Sequence, residues 1–284
     1  MLSNRMLMAA ALLAILVERG YWFGGTSSTA DVQDCDSYEL DTWTSKTDCT
    51  AGHIGRGAAS MPISNKAYVA GGYVSLAYIA FCDEYDPSLN SWASKTNIAS
   101  IRNGLSGASI GSAGYAIAGQ PSDLRDTEQY IPDTWTSKTD CPTPGRGGHL
   151  ATTLNDKIYI MGGYSGAALA DNDEYDPDSW TNKTNLPGGG ANLPYGFTIG
   201  SYTYNVGASN DLQEYSPDSY TSRTDCPAPT RGSGGSCAID SKGYVAYGNT
   251  YIQDCDEYVV DTWTGKTAAA APARNTLTAA ALSS

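Results

Sequence analysis

Basic residues are scarce in this chain. Lys and Arg total 17 against 30 Asp and Glu, a formal net charge of −13. Such a surface repels nucleic-acid phosphates and anionic membranes, which call for clustered cations. Histidine is scarcer still, with two copies, His53 and His149. They lie two repeats apart and no cluster of other ligand types accompanies them, so neither a metal site nor a His-based catalytic set is implied. The seven cysteines contain no Cys-x-x-Cys pair, which removes the usual zinc spacing. No apolar run reaches the roughly 20 residues that a membrane-crossing helix needs. The run Met6–Val17 stops at 12. Beyond residue 20 no apolar pattern has the 3.6-residue period of a helix.

What the chain has instead is one phrase written six times with small variations, Asp-x-Trp-Thr-Ser-Lys-Thr a few residues after a tyrosine. The tyrosines are Tyr38, Tyr85, Tyr130, Tyr175, Tyr215 and Tyr258, followed by Trp43, Trp92, Trp135, Trp180, Tyr220 and Trp263. Successive tyrosines are 47, 45, 45, 40 and 43 residues apart. A repeat of that length is one supersecondary unit that cannot bury its own apolar face, so neighbours must stack. Each unit opens on an arginine (Arg56, Arg102, Arg146, Arg231, Arg274), except the fourth, which offers Asn192-Leu-Pro-Tyr. A short alternating strand ending in glycine follows, such as Tyr159-Ile-Met-Gly-Gly. The acidic Asp-x-Asp-Glu-Tyr strand, a tight turn and the Trp-Thr-Ser-Lys-Thr strand complete the unit. Tyr, Val, Ile, Trp and Thr suit a pleated, half-buried surface, and Gly, Pro, Asn and Asp bound each run. Four strands in each of six units predict an all-β fold, a six-bladed β-propeller.

These residues resemble kelch repeats. The likeness is carried by Arg146-Gly-Gly-His149, the double glycine Gly162-Gly163 and the Tyr175…Trp180 pair, and it recurs over residues 18–284. The wording Asp-Thr-Trp-Thr-Ser-Lys-Thr-Asp is also similar to kelch-like arrays of bacteria and bacteriophages. Some kelch proteins are copper radical oxidases, needing two His, two Tyr and a Cys on one metal, and a six-bladed member acts on sialic acid. The separated histidines and uniform repeats here offer neither constellation, so no cofactor is expected.

The two ends read together. The segment 272–282 matches a first strand and residues 18–25 match a second, so the C-terminal strand is expected to complete the first blade and remove an open edge. Residues 1–17 are then surplus to the propeller of 18–284. Three readings stand for them: a secretory signal lacking a good small-x-small cleavage site, a retained assembly element, or an anchor that is too short.

Six cysteines fall in two repeat-equivalent places. Cys35, Cys82 and Cys255 lie three residues before a repeat tyrosine; Cys49, Cys141 and Cys226 follow the Lys-Thr or Arg-Thr phrase. Topology brings Cys49 toward Cys82 and Cys226 toward Cys255, which makes these pairs the candidate disulfides. The alternative is repeated copying of an interchangeable buried residue. The arginines read as structural, pairing with the acidic phrase and bonding loop carbonyls, with an anion-binding pore as the competing reading. The acidic set Asp171, Asp173 and Asp176 has oxygen ligands but no EF-hand spacing.

Variation concentrates in the loops after the second strands. Tyr73, Tyr78, Phe81, Tyr164, Leu169 and Tyr251 put aromatic and aliphatic groups there, and they are the candidate binding face. The expected function is non-enzymatic binding or assembly by a virion component of a phage (tail, fibre or capsid decoration), with virion proteins or a host glycan as partners. A secreted bacterial adhesin and a sugar-processing or copper-dependent propeller enzyme are the alternatives. The expected location is the virion or the extracellular space, with no nucleic-acid partner and no membrane span.

Overall fold

The computed structural model describes residues 18–28, 30–54, 57–122, 124–207, 209–229, 232–249, 251–269 and 271–283. Met1–Val17, Arg56 and Arg231 lie outside them. The described residues form six four-stranded antiparallel sheets and one two-stranded hairpin, with no helix among them. Blade one joins Thr278–Ser283, Glu18–Phe23, Cys35–Glu39 and Thr42–Ser45. Blades two to six span 59–95, 106–138, 150–182, 195–222 and 235–265. The pairing of Glu18 with Ser283 through Phe23 with Thr278 shows the C-terminal strand completing the blade that begins at residue 18. The six-bladed propeller predicted from the repeats is the observed fold.

Alternation along each strand decides what holds the blades together. In Ala59–Ile63, Ala59, Met61 and Ile63 are buried between blades, while Ser60 and Pro62 line the central channel. In blade two, Val69 and Tyr85 pack on Tyr21 and Phe23 of blade one. The other face, with Tyr68, Ala70 and Cys82, packs on Ala116 and Tyr130 of blade three. The repeat tyrosine and the Trp or Tyr that follows it are cross-strand neighbours with ring centroids 4.8–5.1 Å apart in all six blades.

Two rings of hydrogen bonds tie blade to blade. On the rim, the indoles of Trp43, Trp92, Trp135, Trp180 and Trp263 donate to the carbonyls of Thr267, Thr47, Thr96, Thr139 and Thr224 in the preceding blade. The turn side chains Asn90, Asp133, Asp178, Asp218, Asp261 and Asp41 accept from the backbone N–H of Thr47, Thr96, Thr139, Thr184, Thr224 and Thr267. The repeated phrase is therefore an interblade clasp, which explains its uniformity. Around the axis a second ring is made by backbone alone. Gly57 N–H donates to Thr276, Thr276 to Ser233, Ser233 to Leu193, Leu193 to Gly148, Gly148 to Gly104 and Gly104 back to Gly57, at 2.7–3.4 Å. All six residues have positive φ, between 51° and 68°, which is why glycine fills half of these positions.

Within blades, a buried glutamate before the repeat tyrosine collects cations and a phenol. Glu84 takes Lys66, Tyr68 and Lys95; Glu174 takes Lys157, Tyr159 and Lys183; Glu257 takes Lys242, Tyr244 and Lys266. Burial pushes each carboxyl up, but these bonds outweigh it and hold all three below the usual range. Asp41, Asp133, Asp178, Asp218 and Asp261 are also lowered, chiefly by the backbone N–H of the threonine each receives. Burial raises Asp34 and Asp173 instead. Groups with depressed folded pKa values stabilise the fold above their unfolded pKa, and that stability is lost as pH falls through the folded value. Depressed groups outnumber raised ones, so thermal melts should be flat from neutral pH to about 5 and fall below about 4, the ordinary carboxylate range. A melting temperature that holds or rises between pH 4 and 3 would contradict this clasp.

Candidate functional site

The loops after the second strands share a face with the Arg-x-Gly corners. Backbone bridges join Tyr164 to Gly147, Gln120 to Asn103 and Thr26 to Asn275. On blade two the loop is a projecting hairpin, Tyr73–Val74 paired with Ala77–Tyr78. The rings of Tyr73 and Tyr78 face each other at 5.3 Å. Ser75 and Leu76 form its two-residue tip with φ of 49° and 68°. Asn-Gly is the ordinary choice for such a turn. A leucine here is in the left-handed region and 85 % exposed. The hairpin is braced from blade one, because Asp31 accepts from Ser75 N–H at 2.9 Å and from the Thr26 hydroxyl at 3.1 Å.

The six candidate face residues are thus one cluster and several separate positions. Tyr73 and Tyr78 touch. Phe81, at the foot of the same loop, is half-buried and stacks on His53 at 3.9 Å. Tyr164 is exposed and Leu169 half-buried on blade four, and Tyr251 is exposed on blade six. Leu76 and its brace Asp31 were not among the sequence candidates. The signal was present, since Tyr-Val and Ala-Tyr flank a two-residue turn, but the run is too short to read as strand from composition.

The arginines are structural clips. Arg146 donates from Nη1 to the carbonyls of Gly162 and Asp171, both at 3.4 Å, and from Nη2 to Asp173 at 2.7 Å. Arg102 meets Ala118 O, Asp126 O and the Glu128 carboxylate in the same way. Arg274 meets Gly24 O, Asp34 O and Asp36, and adds the Tyr247 hydroxyl and ring. All three are fully buried, Arg274 between blade one and Tyr247 of blade six. The anion-pore reading does not hold for these three, and the channel mouth is lined by Gly, Ser and Ala with Leu105, Leu193, Tyr195 and His149 rather than by them. Arg56 and Arg231 lie outside the described residues. Asp173 of the acidic set is buried against Arg146, and no metal-holding cluster occurs among the described residues.

The two histidines sit in separate corners, His53 beside blade two and His149 beside blade four. His53 Nδ1 lies 3.0 Å from Asp83, the repeat-equivalent of Asp36 and Asp173. His149 packs its Cβ against Gly163 as Leu105 packs on Gly119 and Leu277 on Gly25. It fills a core slot, and burial first, then Arg146 and Arg102, push its pKa down to about 3.

The disulfide expectation is corrected. All seven cysteines are free and buried. Cys49 lies in the cluster between blades one and two, and Cys82 in the one between blades two and three, so the sheet of blade two separates them. Cys226 and Cys255 are divided by blade six in the same manner. Cys49, Cys141 and Cys226 share their register with Ile98, Leu186 and Ala269, each bonding its N–H to the residue two before the third strand or its equivalent. This supports an interchangeable buried residue. Burial pushes the thiols of Cys35, Cys49, Cys82 and Cys237 far up, and that of Cys141 up to about 11. A thiol reagent at pH 8 should label none of the seven in the folded protein within minutes and all seven in denaturant. Rapid labelling of even one native thiol would contradict the packing.

Fold and repeat together define a six-bladed β-propeller whose units resemble kelch repeats. A sequence profile of the Kelch motif matches residues 145–187, the corner and strands of blade four. Kelch-like protein 25 of Xenopus tropicalis is 31% identical over 164 residues, 50% of this chain and 27% of that protein. Kelch-like protein 15 of Danio rerio is 34% identical over 88 residues, 30% of this chain and 14% of that protein. The chain therefore spans about a quarter or less of the length of these curated relatives. Among solved structures, that of YjhT superposes with a TM-score of 0.68 at 14% identity, covering 89% of this chain and 98% of its own. That likeness concerns the fold. The chain is a six-bladed β-propeller that carries a Kelch motif at residues 145–187.

Proposed function

We propose that this propeller is a non-enzymatic binding module whose loop face docks on another protein. The observation that carries the reading is the blade-two hairpin. Leu76 is fully presented at its tip in a backbone conformation that disfavours leucine, Tyr73 and Tyr78 stand beneath it, and Asp31 of the neighbouring loop holds it upright. Leu40 and Val260 are as exposed at positive φ on the rim turns. The blade-two hairpin differs in projecting from the variable loop face, with two tyrosines packed together and a brace from Asp31, and aromatic and apolar groups on such loops cluster where chains bind. A photo-crosslinking residue placed at position 76 should capture a discrete partner, while the same residue at exposed Leu89 on the rim should not. Equal capture from both, or none from 76, would refute the hairpin as the contact.

Within that reading we place the module in a phage particle, contacting virion proteins or a host surface glycan. The likeness of the repeated phrase to bacterial and phage arrays supports it, together with the strong negative charge, which disfavours nucleic-acid or membrane binding. Sedimentation of purified particles on a density gradient tests it. Peptides of this chain should band with the particles; their recovery in the soluble fraction alone would reject the virion role.

A further inference from the structure

Blade five breaks the arginine rule, and the break leaves a formed cavity. The backbone carbonyls of Arg102, Arg146 and Arg274 accept from Gly72, Gly119 and Gly248, and the matching donor Gly163 bonds the carbonyl of Ala191. Ala191 therefore stands in the arginine register. In blade four the guanidinium reaches Gly162 O, Asp171 O and the Asp173 side chain. The equivalents in blade five are Gly207, Asp211 and Gln213, as the shared bonds from Gly162 N–H to Asp171 O and from Gly207 N–H to Asp211 O confirm. Ala191, Gly207, Asp211 and Gln213 all line one cavity of about 80 Å³. The space filled by a guanidinium in blades one, three and four is empty here, while its acceptors remain.

Two further features separate this cavity from a simple loss. Asn205 lines it, 1 % exposed, at a strand position held by Val69, Ala116, Ile160 and Val245 in other blades. Its amide donates to Met161 Sδ at 3.9 Å. A buried amide in an apolar register costs stability unless something uses it. The cavity also opens to solvent beside Asp211 and Ser209, both exposed, on the same face as the loop hairpin. Gln213 in place of the usual acid leaves no buried charge unpaired in the free protein, and Asp211 supplies negative charge at the mouth.

We propose that the blade-five cavity receives a guanidinium group from outside the chain, the arginine side chain of a partner protein. Carbonyl and amide acceptors spread over one slot suit a planar fork of N–H donors and suit the point charge of a lysine poorly. This deepens the protein-binding reading by naming the chemistry of one contact. Its test needs no partner, so it fails or succeeds separately from the hairpin crosslink.

The full chain would be titrated with N-acetyl-arginine N-methylamide, N-acetyl-lysine N-methylamide and agmatine, with the amide NMR signals of Gly190 and Gly207 as the readout. Saturable shifts with at least a tenfold preference for arginine over lysine are expected. Gln213→Asp, which restores the acid of the other blades, should tighten binding several-fold, and Ala191→Arg should abolish it by filling the slot. If Ala191→Arg proves unfolded by thermal melt, Gln213→Leu serves in its place and should weaken binding. Shifts that match for arginine and lysine, no shift at all, or binding that survives a folded Ala191→Arg would overturn the proposal. Agmatine binding tighter than the blocked arginine would assign the slot to a free guanidine, and equal or weaker binding to a protein side chain.

Discussion

Replacement of Arg146 by leucine should destabilise the protein by about 3–5 kcal/mol, the range for removing one partner of a buried ion pair. Arg146 and Asp173 are both fully buried and 2.7 Å apart. Without the guanidinium, the Asp173 carboxylate keeps one amide donor, from Asn182, and the carbonyls of Gly162 and Asp171 lose a donor each. The remaining charge has no water to turn to. Blade five shows how the fold tolerates the loss, with alanine and glutamine replacing arginine and acid together. The double replacement Arg146→Ala with Asp173→Gln should therefore recover most of the deficit, because no charge is left buried alone. Urea denaturation of these two variants together with the single variants Arg146→Ala and Asp173→Gln closes the cycle. A single-variant loss below about 1 kcal/mol, or a double variant no better than Arg146→Leu, would show that the clip is not what holds the blade.

The second large effect is expected at Gly107, on the inner strand of blade three. Its φ is ordinary; the constraint is space. A Cβ there would lie 2.5 Å from Ser60 O, 2.9 Å from Ser60 N and 3.0 Å from Ser60 C, all backbone atoms of the inner strand in blade two. Backbone cannot swing aside as a side chain does, so the two blades must separate. Gly107→Ala should cost about 1–3 kcal/mol, the usual range for overpacking, and valine should cost more. Gly111, in the next turn, has nothing within 4 Å of its Cβ position but a φ of 57°. Gly111→Asn is the matched control, because asparagine tolerates that conformation. Equal melting temperatures for Gly107→Ala and Gly111→Asn would show that the inner strands have room to move.

The propeller was legible because its signals are local and repeated. Six tyrosines at 40–47-residue spacing, strands of alternating pattern and the Asp and Pro turns declare blades before any contact is known. The match between 272–282 and the missing first strand gave the closure, since a ring with an unpaired edge is disfavoured. The pairing of arginine with the acidic phrase was also open to inference, because both recur in register and a buried cation demands an anion.

Contacts that cross from blade to blade were not legible. Cys49 and Cys82 look adjacent along the chain, yet alternate residues of one strand face opposite neighbours, so the sheet of blade two separates them. The axial ring from Gly57 through Thr276 uses backbone alone, and its members are Gly, Leu, Ser and Thr, with no common side chain to announce it. The brace between Asp31 and Ser75 and the slot beside Ala191 depend on how loops of different blades meet. Sequence determined the repeat unit, the number of blades and the closure, because each rests on periodicity within a short stretch. Tertiary structure decided which side chains are clasps, which loop projects and where an arginine is missing, because those follow from the twist that sets each blade against the next.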